Sequence, residues 1–209
     1  MDPAMKHRFL VAALLAALAA PALAQAPAPA AQAPQAELVP VAIDTSLGRI
    51  VVALDPVHAP ITTANFLHYV DTHRFDGESF YRAMHMGDGG LIQGGVRSDA
   101  RKLYPPIAHE PSSATGLKNV AGAVSMARLA PGSATSDFSI LLSDTPGFDA
   151  GAPGGDPDGF AVFGHVVEGM DVVKKIFASP VDPDKGAGVM KGQFLEPPIK
   201  IIRAERVKP

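Results

Sequence analysis

Residues 80–82 read Phe80-Tyr81-Arg82 and residues 91–95 read Leu91-Ile92-Gln93-Gly94-Gly95. Each piece suits a strand, and the glycine-rich connection between them suits a turn. A barrel-like sheet would bring the arginine and the glutamine onto one apolar surface. Arginine is always charged and only donates hydrogen bonds. Held beside an oily depression it can donate to an amide nitrogen, with no need of a metal, a nucleophile or a phosphate loop.

On either side the chain reads as short β-rich runs separated by turns. Val39–Asp44 and Arg49–Leu54 flank Thr45-Ser46-Leu47-Gly48, a hairpin. Pro60 opens a helix running to His73, with Ile61, Ala64, Phe66, Leu67 and Val70 as its apolar stripe. Further strands are expected at Ser79–Met84, Leu91–Gln93, Ala121–Ala127, Asp137–Leu142, Ala161–Val167 and Ile199–Val207, and a second helix at Met170–Phe177. Eight strands and two helices point to a mainly β protein, a closed barrel or sandwich rather than a parallel α/β sheet. Two long turn-rich segments, Ser98–Lys118 and Ser143–Gly159, are candidate functional loops.

The N-terminus reads differently. Lys6, His7 and Arg8 precede an apolar run from Phe9 to Ala20, and Ala22-Leu23-Ala24 offers a small-x-small cleavage site. Residues 1–24 are expected to be a signal peptide, too short for a span of roughly 20 apolar residues. Residues 1–4 fit poorly before the basic region, as a vector remnant or an early start would, with Met5 the natural start. Residues 25–36 hold only Ala, Pro and Gln, the composition of an extended tether. The domain is expected over 37–209, large enough for its own core.

The whole chain has 18 basic and 21 acidic side chains; removing Lys6, Arg8 and Asp2 with residues 1–24 leaves 16 and 20, a net charge of −4. Without a basic stripe, nucleic acid is not an expected partner. The absence of cysteine excludes disulfides, thiolate catalysis and cysteine-bound zinc. Among seven histidines, His68, His73 and His109 lack ligand spacing. Asp88, Asp156 and Asp158 lack an EF-hand loop, Gly89-Gly90 and Gly94-Gly95 lack a following Lys-Ser/Thr, and there is no G-x-S-x-G. Neither a metal nor a cofactor is expected.

From residue 38 to 207 the chain resembles the cyclophilin-type peptidyl-prolyl isomerases, particularly the bacterial ones. The matching pieces run in the family's order. They include Ala59-Pro60-Ile61-Thr62-Thr63-Ala64-Asn65-Phe66, the two pieces quoted first, His109-Glu110, Gly116-Leu117-Lys118-Asn119 and Ser125-Met126-Ala127-Arg128. Ser133-Ala134-Thr135-Ser136-Asp137-Phe138, Gly159-Phe160-Ala161-Val162-Phe163-Gly164 and Val166-Val167-Glu168-Gly169-Met170-Asp171 follow. The resemblance implies a closed eight-stranded antiparallel barrel capped by two helices. It implies catalysis by Arg82 with Gln93 orienting the substrate, and a peptide paired to the edge at Met126, Ala127 and Arg128. Leu91, Asp137, Phe138, Phe148 and Phe160 would complete the substrate site, with Phe138 alternatively in the core.

The chain departs from the family in the site. Ten residues, Ala83 to Ile92, separate the arginine from the glutamine, more than usual. Gly90 and Ser139 stand where aromatics are usual, Asp137 where glutamine is, and Tyr81 where histidine is, the last read as neutral. Met84 and Met86, with Leu91, Phe148 and Phe160, are candidates to refill the walls, and Asp137 is expected to face Arg82 and restrain it. The overall expectation is an exported monomer, periplasmic or secreted, acting on proline-containing unfolded or partly folded polypeptides, without a membrane span after signal cleavage. Its activity would be weaker than a consensus member's. The alternative is a proline-peptide-binding chaperone on the same barrel with little or no turnover. A third reading, a ligand-carrying barrel, requires a hollow interior.

Overall fold

A computed structural model describes residues 37–207 of the chain. The signal peptide expected at 1–24 and the tether expected at 25–36 lie outside the described residues. Among the described residues nine strands occur in chain order: β1 (Val39–Thr45), β2 (Gly48–Leu54), β3 (Ser79–Met86), β4 (Gly89–Gly95), β5 (Ala123–Met126), β6 (Phe138–Leu141), β7 (Val162–Glu168), β8 (Val181–Asp182) and β9 (Phe194–Arg206). Neighbours run β1-β2-β7-β5-β6-β4-β3-β9, and β9 pairs again with β1. The ring is therefore a closed eight-stranded antiparallel barrel, and the two-residue β8 is an appendage on β9. Closure leaves none of the eight with a free edge.

Alternation along each strand sends one set of side chains inward. Ile43, Ile50, Val52, Phe80, Ile92, Val124, Phe138, Ile140 and Phe163 are essentially inaccessible and belong to one core. This interior is filled with packed aromatic and branched side chains, so the hollow barrel is excluded.

Helices α1 (Pro60–Asp71) and α3 (Met170–Phe177) cover the barrel. Of the expected stripe on α1, Phe66, Leu67 and Val70 are buried while Ile61 and Ala64 face out, and Thr62, Thr63, Asn65 and Tyr69 complete the inner face. Phe66 of α1 reaches in against Phe75, Phe138 and Phe163 at 5.0, 5.1 and 5.3 Å between ring centroids. The start of α1 has no capping side chain of its own. Glu110 supplies one from across the sequence, accepting from the Ile61 and Thr62 N–H groups at 3.0 and 2.7 Å, where the helix dipole favours an anion. That accounts for the acid in His109-Glu110.

Two details differ from expectation. A four-residue helix, α2 (Ser112–Thr115), lies inside the loop 98–118, ended by Gly116 in the left-handed conformation. The last strand begins at Phe194 rather than Ile199. The added residues include Pro197-Pro198, and the pairing with β3 skips across this stretch, from Ile199 opposite Phe80 to Phe194 opposite Arg82. Proline, lacking an N–H, fits where no ladder bond is made.

Candidate active site

The β3–β4 hairpin decides the site. Its register places Arg82 directly opposite Gln93, with Met84 opposite Leu91 and Met86 opposite Gly89. The extra residues between Arg82 and Gln93 lengthen the hairpin without separating the pair. Between Phe80–Gly94 and Arg82–Gln93 the register slips by one, so Tyr81 is an additional residue in β3. A bulge of this kind turns two successive side chains toward one face. Tyr81 and Arg82 accordingly both look into a cleft of about 690 Å³ on the outer face of the barrel.

The Arg82 guanidinium is half-buried and held by neutral groups. Nη1 donates to Gln93 Oε1 at 2.8 Å. Nε and Nη2 donate together to Gln193 Oε1 at 2.8 and 2.6 Å, and Nη2 reaches Met84 Sδ at 3.0 Å. Of the five N–H bonds of a guanidinium, one on Nη1 remains for a ligand. Burial lowers the proton affinity of Arg82 below its ordinary value, and arginine remains charged at neutral pH. No carboxylate lies within ion-pair distance of Arg82 among the described residues. The site presents an uncompensated cation to a mainly apolar cleft.

Gln193 carried no signal in the sequence: it is 111 positions from Arg82, in the segment before β9. Its Nε2 donates to the Val189 carbonyl at 2.6 Å, which turns Oε1 toward Arg82, and its own carbonyl accepts from the Ala83 N–H at 2.9 Å. The Gln193→Met variant keeps the bulk and removes the acceptor. Its Arg82 Nε–H should exchange with solvent about tenfold faster or more in NMR; unchanged exchange would mean that Gln193 does not hold Arg82.

Asp137 does not face Arg82. Its Oδ2 accepts from the Tyr81 hydroxyl at 2.5 Å and from Gln93 Nε2 at 3.4 Å, while Gln93 Nε2 donates to the Tyr81 oxygen at 2.6 Å. Tyr81, read from the sequence as a neutral replacement, is central to the site. Gly95 makes room for this arrangement: its φ is +155°, and a Cβ there would lie 2.1 Å from Asp137 Oδ1. Burial, the largest influence, raises the Asp137 carboxyl above its ordinary 3.8, against the hydrogen bond from Tyr81 and the charge of Arg97. Burial and the charge of Asp137 together push the Tyr81 phenol well up.

An acid whose folded pKa is raised keeps its proton in the folded state while the unfolded chain has lost it. Stability therefore falls as pH rises from 3.8 through the raised value. Asp137→Asn is expected to denature later than the wild type at neutral pH and to match it below pH 3.8. Equal midpoints at neutral pH in thermal denaturation would sink this expectation.

Strand alternation sorts the remaining candidates. On β6 and the residue before it, Asp137, Ser139 and Leu141 line the cleft, while Phe138 is 0% exposed in the core. Phe138 packs edge-on against Phe66, Phe75 and Phe80 at 5.1, 5.6 and 5.6 Å, so its placement in the substrate site is corrected. Ser139, opposite Gln93, occupies the cleft position.

Leu91 and Met126 line the cleft floor, as do the two methionines of β3. The far wall is Phe148 and Phe160, 4.9 Å apart, with Ala127 and Arg128 at the rim. The Arg128 side chain is only 3% exposed. It lies over the Phe160 ring at 5.0 Å, pairs with Asp156 at 2.9 Å and donates to the Gly159 carbonyl. Its charge pins the loop 143–159, a role absent from the sequence reading, which gave Arg128 only a backbone edge for the peptide. Its backbone N–H and C=O take no partner among the described residues, leaving an edge that an extended peptide can pair with. Met190, Leu129 and Arg97, which sequence reasoning missed, also line it, with Ser125, Ser133 and Thr135.

A family profile described as cyclophilin type peptidyl-prolyl cis-trans isomerase/CLD matches residues 40–206. The chain is 35% identical over 169 residues to a peptidyl-prolyl cis-trans isomerase of Acinetobacter baylyi, covering 79% of this chain and 84% of that protein. It is 39% identical over 140 residues to peptidyl-prolyl cis-trans isomerase A of Dickeya dadantii, covering 65% and 70%. With peptidyl-prolyl cis-trans isomerase B of Escherichia coli the figures are 37% over 139 residues, covering 65% and 82%. Among solved structures, a cyclophilin type peptidyl-prolyl cis-trans isomerase of Cryptosporidium parvum superposes with a TM-score of 0.65 at 20% identity, covering 82% of this chain and 99% of that one, a likeness of fold.

Proposed function

Since this chain belongs to the cyclophilin-type peptidyl-prolyl cis-trans isomerases, we propose that it catalyses cis–trans exchange at bonds preceding proline by hydrogen bonding from Arg82 to the prolyl nitrogen. The barrier to peptide rotation is roughly 18–20 kcal/mol, set by amide resonance. As the bond twists, the prolyl nitrogen loses conjugation and its lone pair becomes an acceptor. The free N–H on Nη1 of Arg82 can bind that nitrogen, which the planar ground state does not offer, and so favours the transition state selectively. The proline ring rests on Leu91, Met126, Phe148 and Phe160, and the chain beside it pairs with the free backbone groups of Arg128. Gln93 holds the carbonyl side without adding charge. No covalent step or proton transfer is needed.

The observation that carries this reading is the uncompensated guanidinium at the apolar cleft, held by two amide oxygens and a thioether sulfur. The test is NMR exchange spectroscopy on a proline peptide with the wild type and Arg82→Ala. Enzyme-dependent exchange lost in the variant supports the reading; exchange that survives overturns it. A binding module with little turnover is favoured by Gly90 and Ser139 in the positions of aromatic walls, and by Leu129 and Val189 at 89% and 87% exposure. Such a module would suppress aggregation of an unfolded protein equally well with Arg82→Ala. The basic, apolar and small-residue order of residues 6–24 supports export and removal of a signal peptide, hence action as a monomer on exported polypeptides in the periplasm or outside the cell, where prolyl exchange can limit folding. The acidic balance supports no role on nucleic acid.

A further inference from the structure

We propose that Asp137 and Tyr81 are positioning residues: the aspartate carboxylate, acting through the Tyr81 hydroxyl, fixes which end of the Gln93 amide faces Arg82. This rests on the isomerase reading above and concerns the same site.

Hydrogen-bond polarity sets the direction of each link. An ionised carboxylate only accepts, so the single hydroxyl proton of Tyr81 goes to Asp137, at the 2.5 Å expected of a charge-assisted bond. With its proton committed, the Tyr81 oxygen can only accept, and it does so from Gln93 Nε2 at 2.6 Å. Gln93 must then turn its carbonyl oxygen the other way, where Arg82 Nη1 donates to it at 2.8 Å. Every link from Asp137 to Arg82 thus points in one direction. The longer 3.4 Å bond from Gln93 Nε2 to Asp137 Oδ2 runs the same way. On either route only neutral groups link the two charges, so Arg82 is oriented by an acid that does not neutralise it.

Remove the fixed acceptor and the polarity is no longer enforced. The tyrosine hydroxyl can then donate to the Gln93 carbonyl, and the flipped amide presents an NH₂ group to a guanidinium that can only donate. Arg82 is pushed from its place. Gly95, without a side chain where Asp137 Oδ1 sits, is the space this arrangement requires. The charged and titratable groups around Asp137 are Tyr81 of β3, Arg97 after β4, whose guanidinium lies 4.4 Å over the Tyr81 ring, and Tyr69 of α1. Neither phenol titrates near neutral pH, so protonation on acidification falls to Asp137.

Turnover of a short proline peptide is measured by exchange spectroscopy from neutral to mildly acidic pH for wild type, Asp137→Asn, Tyr81→Phe and Arg82→Ala. Wild-type turnover should fall on acidification. Asp137→Asn, whose amide can offer either end to Tyr81, should turn over about fivefold more slowly at neutral pH, with a flat profile and peptide affinity within about twofold. Tyr81→Phe should show the same loss, and it carries the test if the asparagine variant does not fold. Wild-type or faster turnover in Asp137→Asn at neutral pH, or parallel pH profiles for it and the wild type, would overturn the proposal. An inactive wild type, or an unaffected Arg82→Ala, would instead fail the isomerase reading itself.

Discussion

Replacing Arg82 with alanine is expected to lower kcat/KM on a proline peptide by about 100-fold or more, the size of effect seen when a preorganised donor to a transition state is removed. Two features support a large effect. The cation is half-buried, where burial lowers its proton affinity and an electrostatic contact is stronger than in water. Its donors are pre-aimed by Gln93 and Gln193, so little reorganisation accompanies the twist of the bond. Peptide affinity should change little, because the apolar walls and the Arg128 edge remain. Arg82→Lys should recover only part of the loss, since an ammonium cannot bridge two amide oxygens and still present a fixed third donor. Thermal stability of Arg82→Ala should move by less than about 1 kcal/mol, as the amide oxygens left behind face the cleft and can take water. Turnover within threefold of the wild type would remove the proposed role of Arg82.

Phe138→Ala is expected to destabilise the fold by about 3–5 kcal/mol, more than any substitution in the cleft. The ring is wholly enclosed and edge-on to three other rings, contacts that add to its burial. In a domain of this size each kcal/mol moves the thermal midpoint by about 2–4 °C, so a fall of roughly 10 °C should be visible in calorimetry. At a temperature where the variant remains folded, peptide affinity should stay near that of the wild type. A loss of affinity with a near-normal midpoint would return Phe138 to the substrate site.

These two residues also show how far the amino-acid order could be read. Arg82 and Gln93 were recognisable from their segments. The longer spacing between them looked like a defect, yet it is absorbed by extending a hairpin whose register leaves the pair facing. For Phe138 the motif left substrate site and core both open, although the two-residue alternation of β6 puts Ser139 outward with Asp137, and that signal was present in the sequence. Asp137 was recognised as unusual but aimed at the wrong partner. Nothing local reveals that a bulge turns Tyr81 into the cleft beside Arg82, where it takes the carboxylate first.

The β-rich runs, the turn residues and the proline at the start of the first helix determined the strands, two helices and a mainly β class, because those signals lie within one element. They left barrel and sandwich open, and closure was implied by the family resemblance. The tertiary structure decided what holds Arg82: Gln193 from the far end of the chain, and Gln93 turned by Tyr81 and Asp137. Hydrogen bonds between residues so distant in sequence leave no periodic trace. Their direction depends on which donors and acceptors the closed barrel brings within about 3 Å of one another.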